Sequence, residues 1–537
     1  MKAGSKIDWP KAMWVTALLM TGAAIFLHCG SQAFAGGLWR DEVGLVNIAG
    51  LPTGKEIIWG LMHDHCPIAF PLVIRTWTAL GWAQTDTGLR VLGGCVGLFL
   101  LASFWAASRM MGKSIPLIAL SLAALNPVVI RYGDSMRAYA FGTALMVLTI
   151  GLMWRFIEKA NWPRGLLAGL AAVVSVQTLY QNAFFLLAIS VAGSVVCLRQ
   201  RQISKVAGIL TIGLVAALSL VPYLKPIHDA QPWWVVSKTG INLAISLGRL
   251  SQLTDNFLGI WIVVVVAAVF FGIGRPFIRG LQERPVEQPD LPLFGAMAMV
   301  LGATGFGVFI KLTGLPTQVW YYLPVLCFTA VCCDSVLPRV HSVTRPGVLA
   351  IALFAIVCVP STYSALRWRQ TNGDLLAAQV AKAAAADDLI IVHPWYNGIT
   401  FARYYRGSAR WTTLPPIADY RYHCYDLIKE KLQTPNAIAP VLEQVEATLR
   451  SGHRVWVVGE ISTPARMPAD MPVAPNAPSG WLDDPYSSTW GKQLGYFLQH
   501  HATQVTQSGN GSTHSLPINP LENMTLRVAS GWQTNIP

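Results

Sequence analysis

Three short polar stretches stand out in an otherwise apolar chain, and each carries side chains able to do chemistry. The first reads LWRDEVGLVNIA and sets Arg40, Asp41 and Glu42 side by side directly after an apolar run. Successive helical residues point about 100° apart, so the two carboxylates do not share one face of a helix. One can turn toward a substrate as a proton acceptor while the other pairs locally; the alternative is an interfacial helix cap with its charges in water. The second, LMHDHCPIAFPL, holds His63, Asp64 and His65 ahead of Pro67. In an extended strand alternate side chains share a face, so the two histidines could begin a metal site, although no further ligand is obvious nearby. A polar substrate-lining loop and an incidental interface loop are the other readings. The third, NPVVIRYGDSMRAYAFGTAL, holds Arg131, Asp134 and Arg137. A carboxylate flanked by two guanidiniums suits a phosphate-bearing headgroup, because arginine grips phosphate through two parallel hydrogen bonds; the alternative is a charged turn closed by its own ion pairs.

What must position these groups is a membrane body. Of 537 residues, 53% are hydrophobic and only 12% charged, about half the charged share of a soluble domain. A helix crosses a bilayer with roughly 17–25 apolar residues, and about eleven such runs occur, near 13–30, 89–108, 115–131, 139–157, 165–181, 183–198, 206–222, 256–274, 291–311, 319–335 and 347–363. The formal net charge of +13 reports orientation here, since no basic stretch is interleaved with aromatics, and no nucleic-acid partner is expected. The N-terminus and the turns holding Arg109/Lys113, Arg155/Lys159/Arg164, Arg199/Arg201/Lys205, Arg275/Arg279/Arg284 and Arg339/Arg345 alternate with loops poorer in positive charge, which makes the basic side cytoplasmic. An odd number of spans then leaves the C-terminal region and the long segment after the first span outside. SQAFAGG after that span offers a signal-peptide cleavage site as an alternative, without changing the later orientation. The apolar stretch from Pro67 to Trp82 holds two prolines and Arg75; counting it as a span would invert every later loop, so it is expected as a helix lying in the outer interface.

Charge and proline collect beyond Leu366, which separates a membrane domain over 1–366, with a first outer loop near 32–87, from an extracytoplasmic domain over 367–537. In the latter GDLLAAQVAKAAAADDLIIVHPWYNG and VLEQVEATLRSGHRVWVVGE each read as helix then strand, and FARYYRG as a short helix, which argues for a small α/β layer. His393 follows a strand end and reads as structural beside Pro394. Of nine cysteines only Cys66 and Cys424 fall outside the spans, and whether they pair stays open.

The three polar stretches, in this order and on this topology, resemble membrane glycosyltransferases of the GT-C fold, in the branch of protein O-mannosyltransferases and bacterial aminoarabinose transferases. Asp41-Glu42 matches the acidic pair at the start of that branch's first outer loop, and HDHCPIAFPL its His-Pro-Pro-Leu-type segment, with Ile68 at the second proline. LRVLGGCVG from Leu89 is a weaker match to the start of the second span, and Tyr132, Arg137 and Tyr139 match its Tyr-x-x-x-x-Arg-x-Tyr pattern, while WYYLP carries Tyr321 where arginine is usual. The resemblance implies an α-helical polytopic membrane protein with a C-terminal extracytoplasmic α/β domain, in the cytoplasmic membrane. It further implies an inverting transferase that takes a sugar from a polyprenyl-phosphate donor to a hydroxyl-bearing lipid, glycan or protein. The chemistry agrees: the hydroxyl needs a base, for which Asp41 is the first candidate and Glu42 the second, and the departing lipid phosphate needs cationic or hydrogen-bonding partners. Arg137 fits the phosphate; Arg40, His63, His65, Asp134 and Tyr139 complete the expected substrate-binding set, lining one outer cavity. The leaving group requires neither metal nor cofactor, and none is expected. The rivals are a transporter or flippase of lipid-linked sugars, for which internal repeats would be the sign, and a polysaccharide polymerase or ligase using the loop from Tyr223 to Asp255.

Overall fold

The computed structural model describes residues 8–64, 66–112, 114–234, 242–255, 257–274, 288–314, 317–340, 344–476, 482–507 and 516–534. The chain divides into two compact units: Met1–Ala33, Cys66–Leu224 and Gly240–Leu366 form one, and Phe34–His65, Lys225–Thr239 and Arg367–Pro537 the other.

The first unit is helical and is the body of a multi-pass membrane protein. Among the described residues seven helices are long and apolar enough to cross a membrane, or up to nine if two bent pairs each count as one span. The apolar helix Trp162–Val176 is shorter, at 15 residues. The run expected over 115–131 is helical but broken, into Leu117–Ala119, a π-helical turn over Leu120–Ala124, and Pro127–Gly133. Where a helix starts inside such a body its first N–H groups have no carbonyl partner and no water, so side chains must supply acceptors. The buried Asp334 carboxylate does so at the start of the run, accepting Ile118 N–H and Ala119 N–H at 2.8 Å each. At the break before Pro127, Asn126 Oδ1 accepts Val128 N–H at 2.8 Å and Val129 N–H at 2.9 Å, and its Nδ2 donates to Leu253 O at 2.8 Å. Leu253 ends the helix Leu243–Leu253, itself half of a pair bent by 98°, so one asparagine side chain caps two interrupted helices. The stretch expected as a non-spanning helix forms Ala69–Ala79, 11 residues and too short to cross.

The second unit is built on a five-stranded sheet. Strands β1 (Leu389–Val392), β2 (Arg410–Thr413), β3 (Val455–Val458), β4 (Ala502–Gln507) and β5 (Leu526–Trp532) lie in the order β2-β1-β3-β5-β4. β1 pairs parallel with β2 and β3, and β5 antiparallel with β3 and β4. LIIV in β1 and VWVV in β3 are buried at every position, as strands covered on both faces must be. Alternation sends Leu389, Ile391, Val455 and Val457 into one core and Ile390, Val392, Trp456 and Val458 into the other. Both expected helix–strand repeats are present, as Gly373–Ala383 before β1 and Ala439–Arg450 before β3.

Candidate active site

In the second unit the Arg-Asp-Glu stretch opens the helix Arg40–Ala49. Glu42 is fully buried and its Oε2 accepts the backbone N–H of Trp39 at 3.2 Å, so this carboxylate caps the first turn of its own helix. Arg40 is held on several sides. Its Nη1 donates to Glu522 Oε1 at 2.9 Å and to Leu521 O, and its guanidinium lies 4.3 Å from the centre of the Tyr396 ring. Glu522 also accepts from Thr371 Oγ1 at 2.9 Å and Thr400 Oγ1 at 3.1 Å. Burial pushes the Glu522 carboxyl above its ordinary value, against the pull of Arg40 and the two hydroxyls. Burial likewise works against the Arg40 charge, but Glu522 and Asp41 outweigh it and hold the guanidinium above its ordinary value.

Asp41 differs from its two neighbours. Its side chain keeps 15% exposure, and its Oδ1 lies 3.8 Å from Arg40 Nε and 3.6 Å from Nε2 of His423. His423 belongs to the segment DYRYHCYD, between β2 and the helix Tyr425–Leu432. That segment docks on the Arg40–Ala49 helix through Asn47 Nδ2, which donates to Arg421 O at 2.7 Å, and through Gly44, where a Cβ would meet Tyr422 at 3.6 Å. His63 pins the same segment: its Nδ1–H donates to the His423 carbonyl at 3.0 Å, and its ring stacks 4.7 Å from Trp233 and 4.9 Å from Tyr422. Burial pushes the His63 imidazole below its ordinary value despite Asp426 and Asp419 nearby, so the ring is a neutral donor at neutral pH. His65 lies outside the described residues.

In the first unit Asp134 and Arg137 lie in the turn between the helices Pro127–Gly133 and Ala138–Glu158, and Tyr139 is in the first turn of the second helix. Asp134 is buried and accepts from His28 Nδ1 at 2.6 Å, while Gln32 Nε2 donates to its backbone oxygen at 3.3 Å. Both partners come from the helix Trp9–Phe34. The pair fits because the neighbouring helix carries glycine there: a Cβ on Gly97 would lie 1.9 Å from Asp134 Oδ1, and one on Gly93 2.1 Å from Asp134 O. The turn is closed by Ser135 Oγ, which donates to Tyr132 O at 2.6 Å, and by Arg137 N–H, which donates to Ser135 O at 2.7 Å. Arg137 is the residue before the helix, its guanidinium 5.9 Å from the Tyr139 ring. The WYYLP stretch meets this turn, with Trp320 4.9 Å from Tyr132 and Tyr321 5.8 Å from Tyr139. Arg131 donates to Ala365 O.

The expected site residues thus fall in two groups, Arg40, Asp41, Glu42 and His63 in one unit and Asp134, Arg137 and Tyr139 in the other. His423, Glu522 and His28 were not anticipated. His28 had a signal, since an ionisable side chain within an apolar span is a candidate in its own right. Among the described residues no group of three or more His, Cys, Asp or Glu could hold a metal ion.

No family model matches the chain, and no curated protein matches it. Among solved structures it is similar to ArnT from Cupriavidus metallidurans bound to undecaprenyl phosphate, with 13% sequence identity, a TM-score of 0.51, and coverage of 83% of this chain and 92% of that one. The same protein in the apo state gives a TM-score of 0.52 at 13% identity and the same coverage. At this identity the likeness is one of fold, and it shows the GT-C architecture expected from the sequence.

Proposed function

We propose that the protein is an inverting glycosyltransferase that moves a sugar from a polyprenyl-phosphate donor to a hydroxyl-bearing acceptor at the outer face of the cytoplasmic membrane. The observation that carries this reading is the division of labour at Arg-Asp-Glu: Glu42 caps its helix, Arg40 is bound into Glu522, and Asp41 keeps a partly exposed carboxylate. The fold shared with ArnT, whose structure holds undecaprenyl phosphate, supports a lipid-linked donor. In the proposed step the acceptor oxygen attacks the anomeric carbon from the face opposite the phosphate, and the carbon–oxygen bond to phosphate breaks with its electron pair staying on phosphate. The hydroxyl proton passes to Asp41, and the charge that develops on the leaving phosphate calls for a cationic or hydrogen-bonding partner. In the first unit, taken by itself, Arg137 is the candidate for contact with a lipid phosphate. A single displacement inverts the anomeric centre.

The test is incubation of the purified protein with a panel of undecaprenyl-phosphate-linked pentoses and hexoses, reading release of undecaprenyl phosphate and label passed to acceptor extracts. Turnover of one donor that is lost in Asp41→Asn supports the reading; equal turnover by the variant refutes it. The interrupted helices favour one rival, a flippase of lipid-linked sugars, because broken spans are frequent in transporters. Movement of intact donor across proteoliposomes, with no phosphate released, would establish that rival.

A further inference from the structure

A carboxylate on the first turn of a helix rotates among several staggered positions, and a general base must present one oxygen in one direction. The Arg40 guanidinium is held by Glu522 and Tyr396, with its Nε 3.8 Å from Asp41 Oδ1. His423 is built to select the carboxylate's position. Its ring is walled by Trp395, edge-on at 6.2 Å, and by Tyr425, stacked at 5.8 Å, and its backbone carbonyl is held by His63. The nitrogen presented to Asp41 Oδ1 is Nε2, at 3.6 Å, while Nδ1 lies 4.0 Å from where a Cβ on Gly44 would sit, against the helix that carries Asp41. The histidine is therefore placed to hold the carboxylate, not to replace it as base. Catalytic contacts of this kind are often long in the unliganded enzyme and tighten when substrate is bound.

We propose that His423 is a positioning residue for Asp41: its Nε2, 3.6 Å from Oδ1, orients the carboxylate that takes the proton of the acceptor hydroxyl. This rests on Asp41 being the base. The segment Asp419–Asp426 thereby becomes part of the transfer machinery, although it lies far from Asp41 in sequence.

The experiment uses the undecaprenyl-phosphate-linked sugar that the wild-type protein consumes, and compares His423→Phe, His423→Gln, Asp41→Asn and Asp41→Asn/His423→Phe in one detergent preparation. Phenylalanine keeps the ring packing and removes the donor; glutamine keeps an N–H donor at similar reach. A lost hydrogen bond to a charged group predicts that H423F lowers kcat about ten- to hundredfold with the donor KM within about twofold, and that H423Q recovers most of the loss. Because His423 acts through Asp41, H423F should cost nothing further in the D41N background. Wild-type turnover by H423F, equal loss in H423F and H423Q, or an added loss in the double variant overturns the proposal. Full activity of D41N would instead remove the base reading beneath it.

Discussion

Arg40→Ala should destabilise the second unit far more than it alters chemistry. The Glu522 carboxylate is inaccessible to solvent and receives three donors, Arg40 Nη1 at 2.9 Å, Thr371 Oγ1 at 2.9 Å and Thr400 Oγ1 at 3.1 Å, of which only Arg40 is charged. Removing it leaves a buried anion with two hydroxyls, and breaking a buried pair from one side costs about 3–5 kcal/mol. In a unit of this size each kcal/mol is worth about 2–4 °C in Tm, so R40A should melt roughly 6–20 °C below the wild type at pH 7.5. The pH dependence has a definite sign. Burial already pushes the Glu522 carboxyl above its ordinary value, and Arg40 is what opposes that. In R40A the folded value rises further, so the penalty is absent below the unfolded carboxyl value and grows as pH rises through the folded one. The deficit should therefore shrink between pH 7.5 and pH 5, and Glu522→Gln added to R40A should recover part of it at pH 7.5. Thermal unfolding in detergent, followed by tryptophan fluorescence at both pH values, measures this. An R40A protein melting within about 2 °C of the wild type at both, with no gain from E522Q, would refute the argument and return Arg40 to the candidates for direct substrate contact.

Asp41→Asn should lower kcat by about 10²–10⁴-fold with the melting temperature unchanged, whereas Glu42→Gln, whose amide oxygen still accepts Trp39 N–H, should stay within a few-fold of wild-type turnover. Arg137→Ala should raise the apparent Kd for undecaprenyl phosphate in equilibrium binding, because a phosphate contact acts in the ground state as well as the transition state. Gly97→Ala drives a methyl group to within 1.9 Å of Asp134 Oδ1 and 2.7 Å of His28 Nδ1, so it should destabilise the first unit as much as Asp134→Ala does, by about 3–5 kcal/mol, seen as lost thermal stability of the purified protein. Burial pushes His393 down to about 4; its folded value lies below the unfolded one near 6.5, so its stability contribution is whole above pH 6.5 and drains as pH falls toward 4, by about 3 kcal/mol. Stability of His393→Asn measured from pH 7.5 to 4.5 should lack that slope.

The sequence and the structure agree where a property is local and part where it is not. The buried strands LIIV and VWVV, the helices before them and the apolar runs announce themselves through period and length. The unequal fates of Asp41 and Glu42 follow from helical spacing alone, since neighbours 100° apart cannot both face the same way. The partners of these residues were beyond reach: Glu522 is 482 positions from Arg40, and the tyrosine whose hydroxyl accepts Leu38 N–H is 366 positions on. No local pattern encodes such a pairing. The helix breaks were hidden for a different reason. An apolar run records what a segment buries, and is silent on where its backbone hydrogen bonds stop. Asp334 makes the consequence plain: inside the apolar run over 319–335 it looks like a costly charge at membrane depth, the usual mark of function, yet its carboxylate is spent on Ile118 N–H and Ala119 N–H. Asp134 looks the same in sequence and is spent on His28. A buried carboxylate is a candidate base only after the backbone and the neighbouring histidines have been searched for the donor that explains it: Glu42 is spent on the Trp39 N–H, whereas the Asp41 carboxylate one position earlier keeps 15% exposure.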